Sequence, residues 1–300
     1  MYYLTYILFY AISLLPFRVL YLISDILYVI LYRIAKYRLQ VVRENLRNSL
    51  PEKTVHELLH IEDAYYHNLC DSIVETVKLL SINATELDKR IQCNWTELEK
   101  MKQSGKSAIV MISHQFNWEW ATVLTRRYTR TYTDFAGLYM PLTSKVFDRL
   151  FLKLRTRHDV SMVKVQDMKT ELGRRQKTQH LWGIIADQNP SDPKRVSWND
   201  FLLRKTAFYK GPEFIAKRYD TIVFFGEAIK VKRGYYELKI RTAFEHPRDT
   251  KEGEITETYV RFLEQNIKSR PTNWVWSHRR WKHVFPHSQL TEIPPASRTK

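Results

Sequence analysis

Between residues 107 and 268, short apolar runs alternate with stretches of helical periodicity, and this alternation constrains the fold more than any other feature of the chain. Residues 107–112 (SAIVMI) read as a strand and 118–128 as a helix. Residues 132–139 read as a second strand, 143–157 as a basic helix, 161–165 as a short strand and 167–176 as a helix. Residues 180–186 (HLWGIIA) read as a buried-type strand that ends in Asp187 and Gln188. A helix at 211–219, strands at 221–230 and 235–242 around Gly234, and a helix at 254–268 complete the series. Alternating strands and helices imply an α/β domain. Upstream, residues 40–81 read as helical, with Pro51 starting a new helix. Its apolar residues, from Val55 through Tyr65, Leu69 and Val77 to Leu80, recur at helical spacing and form core.

Eight glycines occur, all singly, so neither G-x-G-x-x-G nor G-x-x-x-x-G-K-[ST] exists and two common nucleotide-binding loops are excluded. No G-x-S-x-G marks a hydrolase elbow. Cys70 and Cys93 are the only cysteines in 300 residues, too few for a disulfide scaffold, so a reducing, cytosol-facing domain is expected. His56 and His60 are four apart, but no third ligand of fixed spacing follows, and no metal site is expected.

The first 32 residues hold only Arg18 and Asp25 as charges. Apolar runs at 2–15 and 19–32 flank Pro16; each is short, and together they reach the ~20 apolar residues that cross a hydrocarbon core. Residues 1–35 are therefore expected to form a membrane anchor, as one helix or as a hairpin divided at Pro16. The competing reading is a buried amphipathic helix of a soluble protein. Arg33, Lys36, Arg38, Arg43 and Arg47 follow directly, and by the positive-inside rule they hold the next domain in the cytoplasm. That domain is expected over 36–290, with a loose tail at 291–300.

The stretch Ser113-His114-Gln115-Phe116-Asn117-Trp118-Glu119-Trp120 places a His and a Glu five apart where a strand breaks into a helix. Five residues diverge by ~140° on a helix and point to opposite faces of a strand. Only across a turn can Glu119 reach back to orient the imidazole. There His114 is the candidate base that takes a proton from an acceptor hydroxyl, with no enzyme nucleophile. A capped turn is the bland reading of so short a motif.

The surrounding sequence resembles the bacterial late acyltransferases of lipid A biosynthesis, the lauroyl/myristoyl transferase family within the glycerolipid and lysophospholipid acyltransferases. The N-W-E form of His-x4-Glu carries the closest likeness. In order along the chain, an apolar N-terminus leads into Arg43-Glu44-Asn45-Leu46, and Tyr139-Met140-Pro141 is similar to the family's Y-R-P. Arg155 stands in an arginine segment, and Asp187-Gln188 match a strand-end element. Lys210-Gly211-Pro212 resembles a helix start, and residues 271–282 (PTNWVWSHRRWK) resemble the long C-terminal motif. The resemblance covers residues 1–285. Met140 departs from the usual Arg, and Gln115-Phe116 from the usual Phe-Gly; both bear on the acceptor more than on the chemistry.

The resemblance implies an α/β fold with a glycerolipid-acyltransferase-like mixed sheet flanked by helices, and an O-acyltransferase. It implies His114 and Glu119 as base and orienting partner, with Arg155 and Asp187 as further catalytic residues. Asn117, Gln188, Gly211, His278, Arg279 and Arg280 are the substrate-binding candidates, although Asn117 and the basic run at 278–280 equally suit structural roles. The donor would be acyl carrier protein or acyl-CoA and the acceptor a hydroxyl of a lipid A precursor, with no bound cofactor. The setting would be the cytoplasmic face of the inner membrane. The net charge of +16 suits an acidic carrier protein, a phosphorylated glycolipid and anionic lipid alike. Two alternatives remain. One is transfer to a lysophospholipid or an amino-acid-containing lipid. The other is a membrane-tethered nucleic-acid-binding protein, disfavoured because the basic residues are spread along the chain and no recognition motif occurs.

Overall fold

The computed structural model describes residues 1–115, 117–129, 134–190, 192 and 196–285. The expected tail at 291–300 and residue Phe116 lie outside them. Two helices open the chain, α1 (Tyr2–Leu14) and α2 (Phe17–Tyr28), the second running into a π turn, Val29–Ile34. Then come α3 (Leu39–Ser49), α4 (Val55–Lys78), α5 (Ala84–Arg90), β1 (Ile91–Cys93), α6 (Thr96–Ser104), β2 (Ala108–Ile112), α7 (Trp118–Thr129) and β3 (Asp134–Tyr139). They are followed by α8 (Lys145–Thr156), β4 (Ser161–Lys164), α9 (Met168–Arg175), β5 (His180–Ile185), β6 (Val196–Phe201) and β7 (Arg204–Tyr209). The series ends with α10 (Gly211–Tyr219), β8 (Ile222–Lys232), β9 (Tyr235–Phe244) and α11 (Glu254–Ser269).

Among the described residues, seven strands form one sheet in the order β1-β9-β8-β2-β5-β3-β4. Every neighbouring pair is parallel except β8 with β9, so the expected mixed, helix-flanked α/β architecture is present. The central strands β2 and β5 carry apolar residues on both faces, as strands covered on both sides must. The second helix of the 40–81 segment begins not at Pro51 but at Val55. Thr54 accepts from the Glu57 amide while the Glu57 carboxylate accepts from the Thr54 amide, a reciprocal cap that fixes this start.

Sequence periodicity missed the β6–β7 hairpin. Leu202 and Leu203 form its turn at φ of 47° and 64°, a conformation that favours Gly or Asn. Tertiary contacts hold it there: Leu202 is fully buried and its amide donates to Glu264 Oε2 at 2.9 Å.

Among the described residues no single helix is long and apolar enough to cross a membrane; α1 and the helical run Phe17–Ile34, made of α2 and its π turn, bend by 118° relative to one another. Pro16 starts the second helix, and Lys78 Nζ donates to the Ser13 and Leu15 carbonyls at 2.7 and 2.9 Å, satisfying the end of the first. The pair is not buried either. Both helices pack inward on α4, yet Leu4 (74 % exposed), Ile7 (63 %), Leu22 (62 %) and Ile26 (60 %) face outward.

Candidate active site

Parallel strands β2 and β5 are in register with Ile112 opposite Ile185, so the residues that follow them emerge side by side at the carboxyl edge of the sheet. Two residues past Ile112 stands His114; two past Ile185 stands Asp187. His114 Nδ1 is 2.6 Å from Asp187 Oδ1, and the His114 amide donates to Asp187 Oδ2 at 2.9 Å. Trp274 Nε1 donates to the same Oδ2 at 2.8 Å. Burial raises the Asp187 carboxyl, but the neighbouring imidazole and these donors outweigh it and hold the group below the ordinary carboxylate range. Asp187 is therefore a charged, buried anchor for the ring.

This corrects the expected pairing of His114 with Glu119. Glu119 stands in the first turn of α7, and both its oxygens are taken by Arg155 of α8: Nε donates to Oε2 at 2.9 Å and Nη2 to Oε1 at 2.5 Å. A planar guanidinium matches a carboxylate through two parallel bonds and outcompetes a single imidazole nitrogen for it. Burial lowers the Arg155 pKa, but the Glu119 charge and hydrogen bonds more than reverse this, so the guanidinium stays firmly charged.

His114, Glu119, Arg155, Gln188 and Gly211 all line one cavity of about 530 Å³. Its volume suits a small or lipid ligand. Much of the rest of its lining is apolar: Val110 and Ile112 of β2, Ala121 of α7, Phe135 of β3, Phe151 of α8 and Ile215 of α10.

The remaining candidates sit elsewhere. Asn117 is buried beneath the turn and does not line the cavity; its Nδ2 donates to Glu75 Oε2 at 2.8 Å and its Oδ1 accepts from the Trp120 amide at 3.3 Å. Glu75 also accepts from Tyr21 (2.9 Å) and Tyr236 (2.7 Å), joining α2, α4, β9 and the turn. Burial pushes the Glu75 carboxyl up to about 7, against the pull of these donors. Sequence alone gave no sign of Glu75, which lies within the ordinary core stripe of α4.

His278, Arg279 and Arg280 do not line the cavity. Arg280 is 1 % exposed and donates to Asn189 Oδ1 (3.0 Å) and the Ala207 carbonyl (2.6 Å), with its guanidinium over Phe208. Arg279 is exposed, and its carbonyl accepts from Asn189. His278 is partly buried; desolvation lowers its pKa to about 4, so the ring is neutral. The C-terminal motif is a clamp: Asn45 of the R-E-N-L segment donates to the Trp276 and His278 carbonyls at 2.8 and 3.0 Å. Trp274 of the same motif holds Asp187 through its indole N–H.

A family model described as bacterial lipid A biosynthesis acyltransferase matches residues 1–283. No curated protein matches the chain.

Proposed function

Since the chain belongs to the bacterial lipid A biosynthesis acyltransferase family, we propose that it moves a fatty acyl chain from a thioester, carried by acyl carrier protein or coenzyme A, to a hydroxyl of a lipid A precursor. The observation that carries this reading is an imidazole braced by a buried carboxylate and lining a largely apolar cavity.

His114 is the general base. With Nδ1–H donated to Asp187, Nε2 keeps its lone pair for the acceptor hydroxyl. As the hydroxyl oxygen bonds the thioester carbonyl carbon, its proton passes to Nε2, and the imidazolium faces the charged Asp187. Arg155 gives two N–H groups to Glu119, leaving three of its five donors to meet the carbonyl oxygen as it becomes negative. Glu119 thus orients the guanidinium rather than the base. Collapse of the tetrahedral species breaks the carbon–sulfur bond, and the departing thiolate takes the proton back from His114. The thioester arrives activated, so the chemistry calls for no bound cofactor. The acyl chain occupies the apolar cavity.

The outward apolar residues of α1 and α2 suit insertion into the interface of the inner membrane's cytoplasmic leaflet, with Arg33, Lys36 and Arg38 at the headgroups. The full-length protein should add one acyl chain to a lipid A precursor when supplied with acyl carrier protein or coenzyme A thioesters, read by mass spectrometry. His114→Ala should lower transfer by ~10²-fold or more. Transfer at the wild-type rate in that variant refutes the assignment. Acylation of lysophospholipids and not of lipid A precursors would move the acceptor. In cells, loss of the protein should leave a membrane glycolipid short of one acyl chain.

A further inference from the structure

Two glycines stand in the middle of buried strands, where glycine weakens a sheet and normally marks a close approach. Gly137 of β3 and Gly183 of β5 are register partners. Neither has positive φ, so backbone conformation does not demand glycine at either position. The same register row continues to Val110 of β2 on one side and Met162 of β4 on the other. All four residues line the cavity that His114 rims. The row is therefore a trough: side chains at its two ends and none in its middle two strands.

The space above the glycines is already shared. A Cβ on Gly183 would stand 3.1 Å from Phe135 Cζ, and a Cβ on Gly137 would stand 3.1 Å from Met162 Sδ. Phe135 and Met162 line the same cavity. The missing Cβ atoms let the Phe135 ring and the Met162 thioether lie down against the sheet instead of standing up into the cavity. Opposite, α7 presents the small residues Ala121, Thr122 and Thr125. Gly183 precedes Asp187 by four residues, which at strand spacing puts the row on the order of 13 Å below the catalytic rim.

We propose that the Val110–Gly183–Gly137–Met162 row is the floor on which the distal part of the acyl chain rests, and that the glycine pair, with Phe135 and Met162 folded over it, sets the longest chain accepted. This rests on the acyl-transfer reading above. An added methyl at position 137 or 183 takes up cavity space itself and displaces Met162 or Phe135 by a few tenths of an ångström, which narrows the cavity at this row. Met162→Ala removes a wall and lengthens it.

The test measures kcat/KM of the full-length protein for a series of saturated acyl donors differing by two carbons, each offered both as the acyl carrier protein thioester and as the coenzyme A thioester, with one acceptor. Gly137→Ala and Gly183→Ala should shift the ratio between the best wild-type donor and the next shorter one by about tenfold toward the shorter, the scale of one misfitting methylene group in an apolar pocket. Met162→Ala should shift preference the other way. Because it enlarges the cavity at a partly exposed edge strand, Met162→Ala keeps the idea falsifiable if a crowded glycine variant fails to fold. A wild-type protein that transfers from none of the donors defeats the acyl-transfer reading and this inference with it. A wild-type protein that transfers, with donor preference unmoved in the folded variants, overturns the inference alone.

Discussion

Asp187→Asn tests the site most directly, because the two residues differ by one atom and the structure supplies three donors to judge the exchange. The His114 amide and Trp274 Nε1 donate to one carboxylate oxygen at 2.9 and 2.8 Å, and His114 Nδ1 faces the other at 2.6 Å. An amide has one acceptor oxygen. Turned with its NH2 toward the two fixed N–H groups, it leaves both unpaired in a buried place, at roughly 1–3 kcal/mol each. Turned the other way it keeps them, but sets an N–H donor against Nδ1. The ring then rotates its proton to Nε2, and the nitrogen that should accept the hydroxyl proton becomes a donor. The second orientation is the cheaper, so the variant folds with an inverted tautomer. Transfer should fall by ~10²–10⁴-fold, the cost of losing a base and of losing its orienting carboxylate. Mass-spectrometric turnover over a pH series should show the loss in kcat, with KM for the donor little changed because the apolar cavity is untouched. An Asp187→Asn protein within tenfold of wild-type kcat would refute the assignment of Asp187 as the orienting carboxylate.

Three further outcomes are expected. Arg155→Lys should lower kcat strongly, since an ammonium cannot make the paired bonds to Glu119; turnover within tenfold of wild type would refute the role given to the guanidinium. His278 has a folded pKa of about 4 against an ordinary value near 6.5, so the unfolded chain binds its proton first and stability drops as pH falls from 6.5 toward 4. His278→Leu should flatten that part of the stability–pH curve by up to about 3 kcal/mol, and a variant whose denaturation midpoints track wild type across that range would contradict a buried neutral imidazole. Ile7→Glu combined with Ile26→Glu should weaken binding to anionic vesicles while leaving the melting temperature nearly unchanged, because both side chains face outward; undiminished vesicle sedimentation would place the docking surface elsewhere.

The class of fold and the segments that carry chemistry were legible in the order of residues alone. Period and punctuation are local properties, so α10 was legible to the residue, and β2, β5 and α11 to within a residue or two. The His-x4-Glu stretch and the C-terminal motif pointed to the family because whole segments were retained in order. What a local pattern cannot encode is which strand lies beside which, and with what register. His114 and Asp187 are separated by 73 residues and meet only because β2 and β5 are adjacent parallel strands in register. Glu119, five residues from His114, turns to Arg155 because α7 and α8 present a carboxylate and a guanidinium to one cavity. Chain proximity suggested the wrong carboxylate, and the packing of the sheet selected the right one, since side-chain pairing follows distance in space.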